Sequence, residues 1–351
     1  MKNKEIRIDR NLSFFFVSFI FFAQSITFGV FESDTSPFYL CALVFLIKKI
    51  SLKSLIALLI ATIALVFFAA TNNNFLIIKL LAALFLGFIL INVALNYTFK
   101  NTHLLMCSVI SFMLGVITLF DAEIFSFLLY RVGSGGGRGA VGLLAESSLY
   151  GLSSSFLTAI LLEKYYIKRS NKLLLAILFS SLSVLISISL FAYLMYLVIL
   201  LFYFNKMSRF SLLLIISFLT SLLAGFIVAY YDFFAQLRIF TLGLNILTEP
   251  SLLLSDISIL YRISFVTDIF NSLSFNFQAK ESMTAGYSLL LYEFNYFGIV
   301  IILLLTSAYS HYLLPIKRFS LHVIFVVVFF IGPLSIPLFW IWSGMLIKKR
   351  V

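Results

Sequence analysis

The sequence predicts an all-α polytopic membrane protein of about twelve transmembrane helices, with two enlarged loops on one face. Three observations predict it. Of the 351 residues, 62% are hydrophobic and 11% charged, whereas soluble domains carry roughly 25% charged and 45–50% apolar residues. Apolar runs recur along the whole chain, and the mean hydropathy is +1.11. Basic residues gather in alternate connectors. At about 20 residues per crossing, twelve spans leave roughly a hundred positions for everything else, too few for a separate soluble catalytic domain. No period of repeat length and no low-complexity linker divides the chain, so residues 1–351 read as one integral membrane domain.

The first apolar run, 12–30, follows the charged segment MKNKEIRIDR. It is too long for the apolar core of a signal peptide and no small-residue cleavage site follows, so it reads as an uncleaved first span. Runs at 36–50, 54–70, 75–95, 102–120 and 147–162 come next. The second is short and begins at Pro37; it crosses only if Lys48 and Lys49 snorkel. The 32-residue run Leu173–Phe204 is too long for one helix and is bounded by basic residues, which predicts a hairpin turning near the serine-rich SVLISIS. Further spans fall at 210–230 and 288–310, and the run Phe319–Ile347 is split by Gly332, Pro333 and Pro337 into a second hairpin.

Charge orients these spans. With both termini inside, the inner segments hold nineteen of the twenty-five Lys and Arg residues, as cytoplasmic segments should. The outer segments hold Arg131, Arg138, Arg238, Arg262 and Lys280, with Lys79 one turn below that face. Eleven of the fourteen acidic residues show the reverse placement. The net charge of +11 therefore reports orientation, and no nucleic-acid partner is needed to explain it. Cys41 and Cys107 lie inside apolar runs without metal-ligand spacing, which points to neither a disulfide nor a metal site.

Two outer loops, 121–146 and 231–286, are long where other connectors are short, and function is expected there. The first carries RVGSGGGRG, with Arg131, Gly135, Gly136, Gly137, Arg138 and Gly139, then Gly142 and, at the mouth of the next helix, Glu146. Glycine backbones approach an anion closely, arginine grips phosphate bidentately, and a helix N-terminus adds oriented N–H groups, so the stretch reads as a pyrophosphate cradle. It lacks the Lys-Ser/Thr ending of a Walker loop and the strand that precedes a dinucleotide fingerprint. The plainer reading stays open: flexible glycines, solvated arginines, and Glu146 capping the helix dipole. The second loop sets Arg238, Arg262 and Lys280 among apolar residues, in the manner of interfacial amphipathic helices. Glu293, flanked by Tyr292 and Tyr296 a few residues into an apolar helix, is a functional candidate by placement, against the plainer reading of an interfacial carboxylate in an aromatic belt. His103, His311 and His322 all map to the inner side, so a general base on the outer face should be a carboxylate.

This pattern resembles the O-antigen and related polysaccharide polymerases, the Wzy-type integral membrane proteins with a GT-C-like plan. Three features carry the resemblance: the many spans with two enlarged outer loops; RGAVGLLAESSLYG from Arg138 to Gly151, similar to the family's Arg, spacer, Glu-Pro-Ser, Gly pattern with Ser147 in place of the proline; and YRISFVTDIF leading to MTAGYSLLLYEFNYFG, whose Glu293 and Gly298 match the closing Glu-x4-Gly element. Arg131 and Gly142 also fit the family's Arg-x10-Gly spacing, whereas Arg238 and Arg262 do not. The resemblance implies a metal-independent glycosyltransferase, without cofactor, that joins undecaprenyl-pyrophosphate-linked oligosaccharides at the periplasmic face of a bacterial inner membrane. Its further partners would be a chain-length regulator and a flippase. Glu293, Glu146, Arg138 and Arg262 are the expected catalytic residues; Arg131, the glycines 135–137, Gly139, Gly142, Tyr292 and Lys280 are the expected substrate contacts. An O-antigen ligase shares the plan but carries His-Asn about nine residues before the carboxylate; Thr284 stands there in this chain. A lipid-linked oligosaccharide flippase is the alternative from another class, and would be expected to show comparable halves and charges near the midplane.

Overall fold

The computed structural model describes residues 76–121, 123–129, 139–144, 146–204 and 336–348, together with single positions at 21, 24–26, 28, 39, 63 and 324. Among the described residues every extended element is an α-helix, and the one β-type contact is an isolated antiparallel bridge between Ile26 and Leu129. The helices are α1 (Leu76–Asn96), α2 (Asn101–Phe120), α3 (Ser147–Ile167), α4 (Asn171–Ile186), α5 (Leu190–Phe204) and α6 (Pro337–Lys348). The expected runs at 75–95, 102–120 and 147–162 are thus helical, the last extended by a turn. α6 opens on Pro337, where the missing N–H costs a helix nothing. The spans expected at 36–50, 54–70, 210–230 and 288–310, and the loop 231–286, lie outside the described residues apart from Tyr39 and Ile63. Residues 24–26, at the end of the first apolar run, form a turn and the bridge rather than continuing a helix.

α3 is the hub. Every residue from Leu149 to Glu163 is buried, on all sides of the helix, because α4, α5 and α6 pack around it. Its run of small and hydroxyl residues permits this: where a surrounding solvent is as apolar as leucine, close approach of backbones and interhelical hydrogen bonds hold helices together. Ser180 Oγ donates to the Ser154 carbonyl at 2.9 Å and lies 2.8 Å from Thr158 Oγ1, joining α4 to α3. Ser155 Oγ reaches the Ala192 carbonyl of α5 at 3.3 Å, and Tyr196 OH donates to Ser181 Oγ at 2.7 Å.

The serine-rich stretch does turn the chain. α4 ends at Ile186, residues 187–189 form the turn, and α5 begins at Leu190. With 16 residues, α4 reaches about 24 Å at 1.5 Å per residue, short of a hydrocarbon layer of about 30 Å. Among the described residues one helix, Asn101–Phe120, has the length and apolar composition to cross a membrane. Its outward side is an apolar stripe of Met106, Ile110, Met113, Ile117 and Phe120, all exposed and spaced three or four residues apart.

The bundle has a basic end and an acidic end. Lys164 Nζ donates to the Phe99 carbonyl and Lys348 Nζ approaches the Tyr97 carbonyl at 3.5 Å, so α3, α6 and the α1–α2 connector converge there. Lys100 closes that connector, and Lys168, Arg169 and Lys172 lie in the α3–α4 connector and the start of α4. Asp121, Glu123 and Glu146 lie at the opposite end, after α2 and before α3.

Candidate functional site

Residues 139–144 of the expected first-loop site fold back into the acidic end of the bundle. Thr118, near the end of α2, turns its Oγ1 to the chain and accepts from the backbone N–H groups of Val141 (3.2 Å) and Gly142 (2.9 Å). The Ala140 N–H donates to the Ile186 carbonyl, at the end of α4, at 2.9 Å. Because α4 and α5 stop short, their turn leaves space at this end, and residues 139–144 fill it with irregular backbone. Such backbone at depth needs partners for its polar groups, and Thr118 and Ile186 supply three of those bonds.

Two of the expected substrate-contacting glycines have packing reasons here. A Cβ on Gly139 would lie 2.1 Å from the Ser187 carbonyl oxygen, so only glycine lets the segment press onto the turn. Gly142 adopts φ +59°, and a Cβ there would meet the Tyr150 ring at 2.9 Å. Tyr150, one turn into α3, donates its OH to the Ser111 carbonyl of α2 at 2.8 Å and fixes the other side of the segment.

Glu146 is the N-cap residue of α3, with extended backbone (φ −144°, ψ 150°), and its carbonyl accepts the Tyr150 N–H at 3.0 Å. Its carboxylate makes no capping bond to the first turn; instead Oε2 accepts from Ser148 Oγ at 3.2 Å. Backbone capping is therefore carried out by the residue, while the half-buried carboxylate remains at the mouth of the helix. Of the expected site residues, the described ones are Gly139, Gly142 and Glu146, all between the end of α2 and the start of α3. Arg131, Gly135, Gly136, Gly137, Arg138, Arg262, Lys280, Tyr292 and Glu293 lie outside the described residues.

Sequence reasoning missed two features. One is Glu163, which is fully buried: its Oε2 accepts from Tyr203 OH at 2.9 Å, and the Tyr203 hydroxyl oxygen accepts from Trp342 Nε1 at 2.8 Å. The relay joins α3, α5 and α6 from positions far apart in the chain, so no local spacing announces it. Tyr166 stacks on Tyr203 beside it, with ring centroids 5.7 Å apart. The second is a recess between α2, α3 and the start of α6, roofed by the Gly142–Leu144 segment and edged by Ser111, Tyr150, Ser153 and Ser154. The serines of α3 were visible, but their facing depends on which helices surround them.

No protein-family model, curated protein or solved structure matches this chain.

Proposed function

We propose that this protein is a polytopic glycosyltransferase of a bacterial inner membrane that polymerises undecaprenyl-pyrophosphate-linked oligosaccharides at the periplasmic face, with about twelve crossings and both termini in the cytoplasm. The observation that carries the reading is the Arg131–Gly151 stretch, in which a glycine- and arginine-rich loop runs directly into Glu146 at the mouth of the hub helix, on the acidic end of the bundle. The opposite end gathers the lysines of four segments, which suits a cytoplasmic surface. The apolar stripe along α2 suits contact with lipid tails.

In this mechanism the growing chain leaves its lipid pyrophosphate and joins the nonreducing sugar of a new lipid-linked unit. The acceptor hydroxyl oxygen forms a bond to the anomeric carbon, the bond from that carbon to the pyrophosphate oxygen breaks, and a carboxylate takes the hydroxyl proton. Arg138, Arg131 and Arg262 stabilise the negative charge that develops on the departing pyrophosphate. Glu293 serves as the base, and Glu146, at the mouth of α3, orients Arg138. Loss of the gene decides between this reading and its neighbours. A polymerase deletion leaves lipopolysaccharide bearing a single repeat unit, whereas loss of a ligase or a flippase leaves no repeat on the core; a full ladder in the deletion strain refutes polymerisation.

A further inference from the structure

The basic end of the bundle is a charged surface that the proposed chemistry leaves unused. Lys100, Lys164, Lys168, Arg169, Lys172 and Lys348 come from the α1–α2 connector, the region where α3 passes into α4, and the end of α6, and all but the half-buried Lys164 are exposed. Lys164 and Lys348 converge on one stretch of backbone, reaching the Phe99 and Tyr97 carbonyls. A lysine carries three donors, so both ammonium groups keep N–H bonds to give. Among the described residues Asp121, Glu123 and Glu146 lie at the opposite end, and Glu163 is buried and turned to Tyr203. No carboxylate of that set neutralises the surface.

The helix ends add to this charge instead of offsetting it. α2 and α4 both begin here and pack side by side, Phe112 of one against Phe179 of the other with ring centroids 5.6 Å apart. The positive end of each helix dipole therefore meets the same surface, where an acidic residue is favourable and a cation is not. Yet neither first turn holds an acidic residue, Lys100 is the N-cap residue of α2, Lys172 lies in the first turn of α4, and neither N-cap side chain caps its helix. An external anion relieves such a set of like charges, and arginine and lysine are the side chains that bind phosphate. Apolar residues adjoin the cations. Ile167, 66% exposed, precedes Lys168 and Arg169, while Leu174 and Leu175, 46% and 43% exposed, follow Lys172. Lys172 and Leu175 are three residues apart on α4 and so share a face. A soluble acidic partner has no use for that apolar margin, whereas a phospholipid offers a phosphate next to an acyl chain, and basic clusters at the cytoplasmic ends of membrane helices bind anionic headgroups.

We infer that this end of the bundle binds an anionic phospholipid, its headgroup phosphate held by Lys168, Arg169 and Lys172 and its acyl chain laid on Ile167, Leu174 and Leu175; the inference rests on the membrane part of the proposed reading and not on polymerisation. The test uses the full chain purified in a neutral detergent and follows the thermal midpoint, which a ligand of the folded state raises with its concentration. Three probes are compared: phosphatidylglycerol, phosphatidylcholine with the same acyl chains, and soluble glycerol 3-phosphate. Phosphatidylglycerol should act at a concentration at least tenfold below phosphatidylcholine, and glycerol 3-phosphate should have no effect where the anionic lipid saturates. Lys168→Gln/Arg169→Gln/Lys172→Gln should raise the half-saturating concentration of phosphatidylglycerol at least tenfold, at a lipid-free midpoint no lower than that of the wild type, because the charges removed repel one another. Lys172→Glu alone should raise it at least threefold, which keeps the inference open to refutation if the triple variant does not accumulate. An equal response to phosphatidylcholine assigns the effect to lipid solvation, an equal response to glycerol 3-phosphate assigns it to a site for free phosphate, and an unchanged titration in the variants places the headgroup elsewhere; each overturns the inference. Retention of the chain in carbonate-washed membranes tests the membrane reading separately, so a chain that is retained yet responds to none of the probes sinks the lipid site alone.

Discussion

Gly139→Ala separates a packing glycine from an anion-binding one. In the structure the new Cβ would sit 2.1 Å from the Ser187 carbonyl oxygen, 2.4 Å from the Ser187 carbonyl carbon and 2.8 Å from the Ile186 oxygen. All three are backbone atoms, so no side-chain rotation relieves the clash, and the segment must lift by about an ångström. Overpacking of this kind costs about 1–3 kcal/mol. The lift also stretches the 2.9 Å bond from the Ala140 N–H to Ile186, worth about 1 kcal/mol when made and more when a buried donor is orphaned. The expected total is about 2–4 kcal/mol, a fall in apparent midpoint of about 3–5 °C for a chain of this size. Thermal unfolding of the purified protein in one detergent at one scan rate measures it, since such transitions are often under kinetic control. Ser148→Ala, which removes only the half-buried bond to Glu146, serves as the local control and should move the midpoint little. If Gly139→Ala unfolds with the wild type but loses affinity for undecaprenyl pyrophosphate, the packing argument is wrong and the glycine belongs to the cradle.

Tyr203→Phe should lower stability by about 1–3 kcal/mol, because it removes the donor to the buried Glu163 and the acceptor of Trp342 together; an unchanged midpoint under the same unfolding conditions would show that the relay contributes nothing. A cysteine at Gly136 or Asn276 should react with a membrane-impermeant maleimide in cells whose inner membrane is intact, and labelling only after permeabilisation would reverse the orientation. Arg138→Ala and Arg262→Ala should each reduce polymerisation about a hundredfold, the loss expected when one charged contact worth about 3 kcal/mol disappears from the transition state, with Lys variants retaining partial activity because the ammonium lacks the planar fork; a normal ladder at normal protein level removes that arginine from the site. Glu293→Gln should abolish turnover and spare substrate binding, while Glu146→Gln should weaken both; normal turnover in Glu293→Gln refutes its role as base.

The legible part of the fold is the part set by composition and by local breakers. The helices over 76–96, 101–120 and 147–167 follow from unbroken apolar runs, and the turn at 187–189 follows from a run too long for one helix with serines at its middle. Pro337 starts α6 for the reason that Pro ends any preceding helix. What composition leaves open is depth and facing. The 32-residue run does fold as a hairpin, but its first arm is only 16 residues long, and residues 139–144 pack against the turn at its end.

That consequence changes how the first loop is to be understood. Read along the chain, RVGSGGGRGAVG is a single glycine-rich string, and each glycine has equal claim to an anion. Gly139 and Gly142 belong to a wedge fixed by Thr118, Ile186 and Tyr150, and their lack of a side chain serves close approach and a left-handed backbone. An anchor of this kind serves the proposed chemistry in a different way from a cradle. The segment it fixes to the ends of α2 and α4 begins at Gly139, one residue after Arg138 in the sequence, and rigid support of a reacting group lowers the cost of orienting it in the transition state. Glu146 sits two residues beyond the other end of the wedge, at the start of the most buried helix. In the sequence the braced segment 139–144 is therefore flanked by Arg138 and, two residues beyond it, by Glu146, and its residues 142–144 line the recess. Disrupting the brace with Thr118→Val, which removes the acceptor of the Val141 and Gly142 N–H groups, should accordingly impair the proposed turnover, even though Thr118 lies on α2, which carries neither Arg138 nor Glu146.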